Sequence, residues 1–447
     1  MKKSIRHHAV DILNQVYINN SFAGDLIDTF LDENELSGKP DGRLLTHLVY
    51  GVLRLQGHLD WILSRLYRGD FVKMDEGIRN VLRTGLYQLK FSDRLPAFAV
   101  VDEAVKIAKI ISPAASGLTN AILRNYLRSG NNIPFPSQQN NIVEYISAYH
   151  SHPLELTKSW LNDLGKENTL ALCQANNDMP PLTCRVNTLK TTRAELIEQL
   201  KANGFQCNPT KFSPDGIILT EAPAPIQKTL FFDEGLLRLQ DEGAQLISYL
   251  VNPQPGENIL DVCAGSGGKT MHLAARMNNK GRIVAADHYQ GKINALLKET
   301  ERLGVEIIEP KLIDVTKDIP DTFIERFDHV LVDAPCSGTG TLRRNPEIKW
   351  RLTAAQLTAL ASTQRLILQQ ASKAVKKGGK LIYCTCSLLP DENENIIKYF
   401  LMKNRQFTLD TTFGIIEKPF IDGSGFFRTY PHIHDMDGFF GAVLKHK

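Results

Sequence analysis

From about Leu236 onward, short β-branched runs alternate with stretches of helical periodicity, and no other feature of the chain limits its fold as strongly. The runs are Asn258 to Val262, Arg282 to Ala286, Ile307 to Ile313, Phe327 to Val332 and Lys380 to Cys384. Such alternation predicts a parallel sheet with helices on both faces. The helical stretch Thr353 to Lys377 is expected to stop at Gly378-Gly379, just before the fifth strand. Two further strands, Gly425 to Tyr430 and Gly438 to Leu444, are expected near the end of the chain.

The first half reads differently. From Ser4 to Arg128 the apolar residues recur at helical spacing, as in Val10, Leu13, Val16 and Tyr17, and in Leu44, Leu48, Val52, Leu55, Leu59 and Ile62. This predicts a helical bundle with loops at Ser37–Pro40, Ser92–Pro96 and Ser112-Pro113. The breaker-rich stretch Ser129–Pro136 marks a linker. Between about Asn141 and Glu234, helical stretches mix with β-type runs such as Leu182–Asn187 and Gly216–Thr220, which predicts a small α+β module. A chain of 447 residues supports roughly two to four domains. The expected division is 1–135, 141–234 and 235–447.

Composition narrows the class of protein without identifying it. With 43% hydrophobic and 23% charged residues the chain has an ordinary globular balance, and a net charge of +3 does not by itself argue for a polyanionic partner. The start, MKKSIRHHAV, lacks the apolar core of a secretion signal, and no apolar run is long enough for a membrane helix. Seven cysteines, an odd number, fit a reducing cytoplasm with free thiols.

The first strand of the alternating region runs into a glycine-rich turn, Asp261-Val-Cys263-Ala264-Gly265-Ser266-Gly267-Gly268-Lys269-Thr270. A turn of this kind can be purely structural. In a doubly wound sheet it also brings bare backbone to the crevice where nucleotide-like ligands bind. A P-loop would need glycine at Cys263, and a dinucleotide fingerprint would need it at Thr270, so both readings fail. Asp287 ends the second strand where an acid can accept hydrogen bonds from ribose hydroxyls. Asp314, after the third strand, could meet an adenine amino group in the same crevice. Taken singly, each could equally be a solvated strand-end acid.

The fourth strand leads into Asp333-Ala-Pro-Cys336-Ser-Gly338, and the fifth into Thr385-Cys386-Ser387. Both open on the side of the glycine turn, so Cys336 and Cys386 can converge beside a bound cofactor. Methylation of a cytosine at C5 needs such an arrangement, because C5 is too weak a nucleophile unaided. A thiolate adding at C6 makes C5 enamine-like. An acid near N3 assists, and Asp333 is close enough in sequence to Cys336 to supply it. Spacing leaves the two thiols equivalent. Cys173, Cys184 and Cys207 read as small buried apolar residues. Cys384 and Cys386 could suggest a metal pair, but no second Cys/His cluster completes a tetrahedral site, so no metal is expected.

The blocks Asp261–Thr270, Asp333–Gly338 and Thr385–Ser387 resemble those of the RNA cytosine-C5 methyltransferases, as do Gln240–Gln245, Leu342–Trp350 and Asp437–Phe440. The helical N-terminal region resembles the antitermination factor NusB, and this pairing is similar to the bacterial RsmB (Fmu/Sun) family. The resemblance implies an α/β fold: a Rossmann-like class I S-adenosylmethionine-dependent methyltransferase domain, preceded by an all-α NusB-like RNA-binding domain and a small α+β module. It implies 16S ribosomal RNA as substrate, Cys386 as nucleophile, Cys336 as the residue that assists product release, and Asp333 against both cytosine and cofactor. Cys263 through Lys269, with Asp287, Asp314 and Asp333, would hold S-adenosylmethionine. A cytoplasmic monomer is expected.

In the family motif a proline precedes the paired glycines, whereas this chain has Ser266, which is expected to loosen the turn without removing a ligand contact. Two other readings compete. A DNA cytosine-C5 methyltransferase would use a Pro-Cys nucleophile like Pro335-Cys336, and the Thr385-Cys386 block argues against it. A non-catalytic RNA-binding factor would have no need to retain both thiols, Asp333 and the glycine turn.

Overall fold

The computed structural model describes residues 3–92, 95–129, 132–411 and 418–447, except for the side chain of Lys418. Asp93 and Arg94 of the expected loop Ser92–Pro96, and Gly130 and Asn131 of the expected linker, lie outside the described residues. The chain forms two compact units: residues 1–179 with 342–351, and residues 180–341 with 352–447.

The first unit is helical. Helices Ile5–Ile18 and Pro40–Arg54 bury residues that carried the helical periodicity, including Val10, Leu13, Val16, Leu48 and Val52, and helix Glu76–Phe91 adds Leu82 to the same core. Ser4 and Asp75 cap two of these helices by accepting the backbone N–H groups of His7 and Ile78. The buried Arg83 is neutralised by Asp60 and Glu76, each 2.7 Å away. Helices Ile142–Tyr149 and Leu154–Ala175, read from the sequence as part of the α+β module, belong to this unit. The hydroxyl of Ser151 accepts the N–H of Gly57, and the His58 ring meets the carbonyl of Tyr149 at 3.0 Å.

Leu342–Arg351 also belongs here, although the sequence reading gave it to the catalytic domain. Glu347 accepts the N–H of Ala23 at the start of helix Ala23–Glu33, and Trp350 donates to the carbonyl of Leu53 at 2.8 Å. Lys349 is fully buried and donates to the carbonyl of Arg54 and to Asn177. These polar groups find their partners in the helical unit, which explains why the segment folds there.

The second unit contains two sheets. The smaller, of order β2-β3-β1-β4, comprises β1 (Leu182–Val186), β2 (Gln206–Pro209), β3 (Gly216–Glu221) and β4 (Leu237–Leu239). The larger contains β5 (Asn258–Asp261), β6 (Arg282–Asp287), β7 (Ile308–Leu312), β8 (Phe327–Asp333), β9 (Val375–Thr385), β10 (Phe407–Leu409), β11 (Phe427–Arg428) and β12 (Phe440–His446). Its order is β10-β12-β9-β8-β5-β6-β7, with β11 beside β12. Strands β5 to β9 pair in parallel, and β12 joins β9 antiparallel. The chain starts in the middle at β5, runs out to β7, and returns to β8 on the other side of β5. That reversal opens a crevice beyond the carboxyl ends of β5 and β8.

The strands alternate between two cores, as period-2 side chains require. Leu260, Val330, Leu381 and Tyr383 enter one, and Ile259, Leu331, Ile382 and Cys384 the other. The long helix is Ala354–Ser372 and ends five residues earlier than the sequence suggested. Residues 376–379 instead form an irregularity within β9, where the register against β8 jumps from Val375 to Lys380 and Gly378 takes φ +77°.

Candidate active site

The crevice at the strand ends has a volume of about 910 Å³ and is lined by Cys263, Ala264, Gly265, Ser266, Gly268, Lys269, Asp287, Asp314, Asp333, Cys336 and Cys386. Gly267, the remaining residue of the expected cofactor turn, sits behind it as the cap of helix Gly268–Arg276, with φ +83°. At Gly267 a Cβ would strike Met271, whereas at Gly265, with φ +56°, it would point into open space. Bare backbone at Gly265 therefore leaves room for a ligand against the turn.

Asp287, at the end of β6, holds this turn. One carboxylate oxygen accepts the N–H of Gly265 and the other accepts that of Tyr289, both at 3.0 Å. Each oxygen keeps a further lone pair for a ligand hydroxyl. Asp314 is bound by the N–H and hydroxyl of Thr316, and these hydrogen bonds hold its carboxyl below the usual range. Ser266 is not loose. Arg238 donates to its carbonyl and its hydroxyl at 3.2 and 3.1 Å, an anchor that proline could offer only through the carbonyl.

Asp333, at the end of β8, accepts from Lys269 at 2.6 Å through one oxygen and from the Cys384 thiol at 3.3 Å through the other. Burial opposes the charge of Lys269, but Asp333 more than offsets this and holds the ammonium above its usual pKa. Asp333 is thus an acceptor on both sides. Cys384, for which the sequence offered no role, is its hydrogen-bond donor.

The sulfurs of Cys336 and Cys386 are 3.4 Å apart. The hydrogen bond to Cys386, then burial, then the charge of Glu392 hold the Cys336 thiol well above its usual pKa. Cys263 is raised too, by burial and then by Asp261, Asp333 and Asp287. Cys173 and Cys184 are fully buried, and burial pushes both up to about 12. Cys207 is buried as well. Among the described residues no group of three or more His, Cys, Asp or Glu is arranged to hold a metal ion, and no helix is long and apolar enough to cross a membrane.

Sequence reasoning missed several wall residues. Tyr289, half-exposed and packed on His288, lies two residues past Asp287, while Arg238 lies in a strand of the other sheet. Phe439 lies within the quoted Asp437–Phe440 block, with the Lys269 ammonium 5.2 Å from its ring centre. Only Tyr289 had a local signal, its position two residues past a strand-end acid.

The sheet order, the glycine turn and the strand-end acids define a class I S-adenosylmethionine-dependent methyltransferase fold, here carrying a paired-thiol site. The open cradle at Gly265, the two acceptors of Asp287 and the adjoining helix N-terminus fit that cofactor. Residues 248–445 match the family described as 16S rRNA methyltransferase RsmB/F, residues 3–128 the NusB family, and residues 152–227 the RsmF/B-like ferredoxin-like domain. A Bacillus subtilis (strain 168) protein named "Probable ribosomal RNA small subunit methyltransferase B" is 33% identical over 451 residues, covering 100% of this chain and 99% of its own. The ribosomal RNA small subunit methyltransferase B of Enterobacter sp. (strain 638) is 33% identical over 449 residues, covering 99% of each chain. The crystal structure of PH0851 aligns over 99% of both chains, with a TM-score of 0.83 and 26% identity. The chain belongs to the ribosomal RNA small subunit methyltransferase B family.

Proposed function

We propose that this chain transfers a methyl group from S-adenosylmethionine to C5 of a cytosine in 16S ribosomal RNA, through a covalent bond between Cys386 and C6. The observation that carries the reading is the 3.4 Å approach of the Cys336 and Cys386 sulfurs, beside Asp333 and in the crevice of the glycine turn. Two thiols serve a reaction in which one sulfur must bond to the ring and later leave it.

Cys263 through Lys269, with Asp287, Asp314 and Asp333, hold the cofactor. When bound, S-adenosylmethionine supplies an electrophilic methyl group. The Cys386 thiol gives up its proton as its sulfur bonds to C6, the C5–C6 π electrons move into the ring, and N3 takes up a proton in its place. Asp333, paired with Lys269, accepts the N3–H hydrogen bond and so favours that protonation. C5 then carries the electron density that accepts the methyl. In the last step the C5 proton leaves, its electron pair restores the C5–C6 double bond, the C6–S bond breaks toward Cys386, and N3 returns its proton to solvent. Cys336 assists by giving its proton to the departing sulfur and taking up the one from C5. The raised pKa of Cys336 supports this role, since it keeps a proton on that sulfur at neutral pH.

Residues 1–135 and 141–234 are assigned to RNA binding, and 235–341 with 352–447 to catalysis. RNA specificity rests on shape and on bases splayed out of helices. Bisulfite mapping of 16S ribosomal RNA, from cells with and without the protein, tests the reading. One cytosine should lose protection when the protein is absent, and an unchanged map overturns the proposal.

A further inference from the structure

The residues after the two thiols are both serines, and both point at one buried carboxylate. Glu392 is inaccessible to solvent and sits in the turn Pro390–Glu392 beyond β9. One of its oxygens accepts the N–H of Ser337 at 2.8 Å and the amide of Gln364 at 3.0 Å. The other accepts the hydroxyls of Ser337 and Ser387, the latter at 2.5 Å. Gln364 also donates to the carbonyl of Pro335, the residue before Cys336. Hydrogen bonds to an ionised acceptor are short and strong, and a buried carboxylate needs each of them.

Resting on the proposed thiol chemistry, we infer that Glu392 is the positioning residue of the site, fixing the separation of Cys336 and Cys386 by binding the serine that follows each. Neither β8 nor β9 sets that separation alone, because each thiol lies beyond the last residue of its strand. The Glu392 carboxylate joins the two turns where the ladder ends. A backbone contact, Gly340 N–H to the Cys386 carbonyl at 2.8 Å, fixes the height of the turns but leaves the side-chain direction at Cys336 to Ser337 and Glu392. Glu392 does not line the cofactor crevice, so its removal should separate thiol alignment from cofactor binding.

The test compares the full-length wild type with Glu392→Ala, Glu392→Gln and the double variant Ser337→Ala/Ser387→Ala. Three quantities are read: S-adenosylmethionine affinity, kcat and KM on 16S ribosomal RNA, and retention of a trivalent arsenical, which stays bound only when two neighbouring sulfurs chelate it. Cys336→Ala is the control for retention. Glu392→Ala should lose roughly 100-fold in kcat, as a misplacement of about 1 Å costs, with KM and cofactor affinity within about threefold and arsenical retention lost. Glu392→Gln, which keeps one acceptor oxygen, should recover part of both. Wild-type kcat and arsenical retention in Glu392→Ala overturn the inference, as does a parallel loss of cofactor affinity in the double variant. If Glu392→Ala fails to fold, the double variant decides by the same readings. A wild type that makes no 5-methylcytosine overturns the proposed function, and arsenical retention then judges Glu392 by itself.

Discussion

Lys269 and Asp333 form an ion pair 2.6 Å long that joins the first turn of the cofactor helix to the end of β8. The sequence separates them by a strand, a helix and another strand. The fold brings them together because β5 and β8 are adjacent and parallel. The pair places one charged link between the turn assigned to the cofactor and the strand end assigned to the cytosine, so a displacement of either is felt by the other.

The roles of the two thiols separate on a denaturing gel. Cys386→Ala is expected to abolish methylation and to form no protein-RNA adduct, because the sulfur assigned to bond C6 is removed. Cys336→Ala is expected to attack and methylate but to release product slowly, accumulating a slow-migrating protein-RNA band. The opposite pattern would exchange the two assignments.

Asp287→Ala removes the acceptor for two backbone N–H groups and, in our reading, for the cofactor ribose. Charge-assisted hydrogen bonds contribute about 1.5 to 3 kcal/mol, so affinity for S-adenosylmethionine should fall roughly 10- to 100-fold. Calorimetry on the folded variant measures this. An unchanged dissociation constant removes Asp287 from the site.

Gly265→Ala probes the same pocket from the backbone. Its φ of +56° makes a side chain cost about 1 kcal/mol or more, yet the added methyl meets no protein atom. Thermal stability should therefore drop only slightly while cofactor affinity falls more than about tenfold. Equal losses in both would mean that the turn is merely structural.

These residues were legible to different depths. The strand ends and the glycine turn carry local patterns, so Asp261, Asp287, Asp333 and Cys386 could be placed at or just past the carboxyl ends of the strands from sequence alone. The Ser266–Arg238 contact, the Lys269–Asp333 pair and the convergence of Ser337 and Ser387 on Glu392 depend on which strands become neighbours, and no local spacing encodes that. β10, only three residues long, is defined by its pairing with β12 and has too few residues for a period to show. The segment Leu342–Arg351 misleads a linear reading because its partners, Ala23, Leu53 and Arg54, are some 300 positions away.

Lys349 gives a pH dependence of known sign. Burial lowers its pKa from the usual 10.5 to about 7; its amine donates to the carbonyl of Arg54 and the side chain of Asn177, and among the described residues no carboxylate pairs with it. Between about pH 7 and 10.5 the unfolded chain binds a proton there that the folded chain does not. Stability should therefore rise with pH across that window, with a slope approaching about 1.4 kcal/mol per unit. Lys349→Met should flatten the rise. All three tryptophans, Trp61, Trp160 and Trp350, belong to the helical unit, so intrinsic fluorescence follows its unfolding selectively. An identical slope in the variant would rule out Lys349 as its source.

The placement of Leu342–Arg351 also sets the order in which a nascent chain can mature. Residues 1–179 leave the ribosome first, but the ten residues that complete their packing are translated only after roughly 160 more. At typical elongation rates this interval lasts on the order of ten seconds. Throughout it, the surface that will receive Trp350 and Lys349 stays uncovered and open to chaperones. The helical unit is thus finished only once the first four strands of the larger sheet and the Cys336 loop have been synthesised.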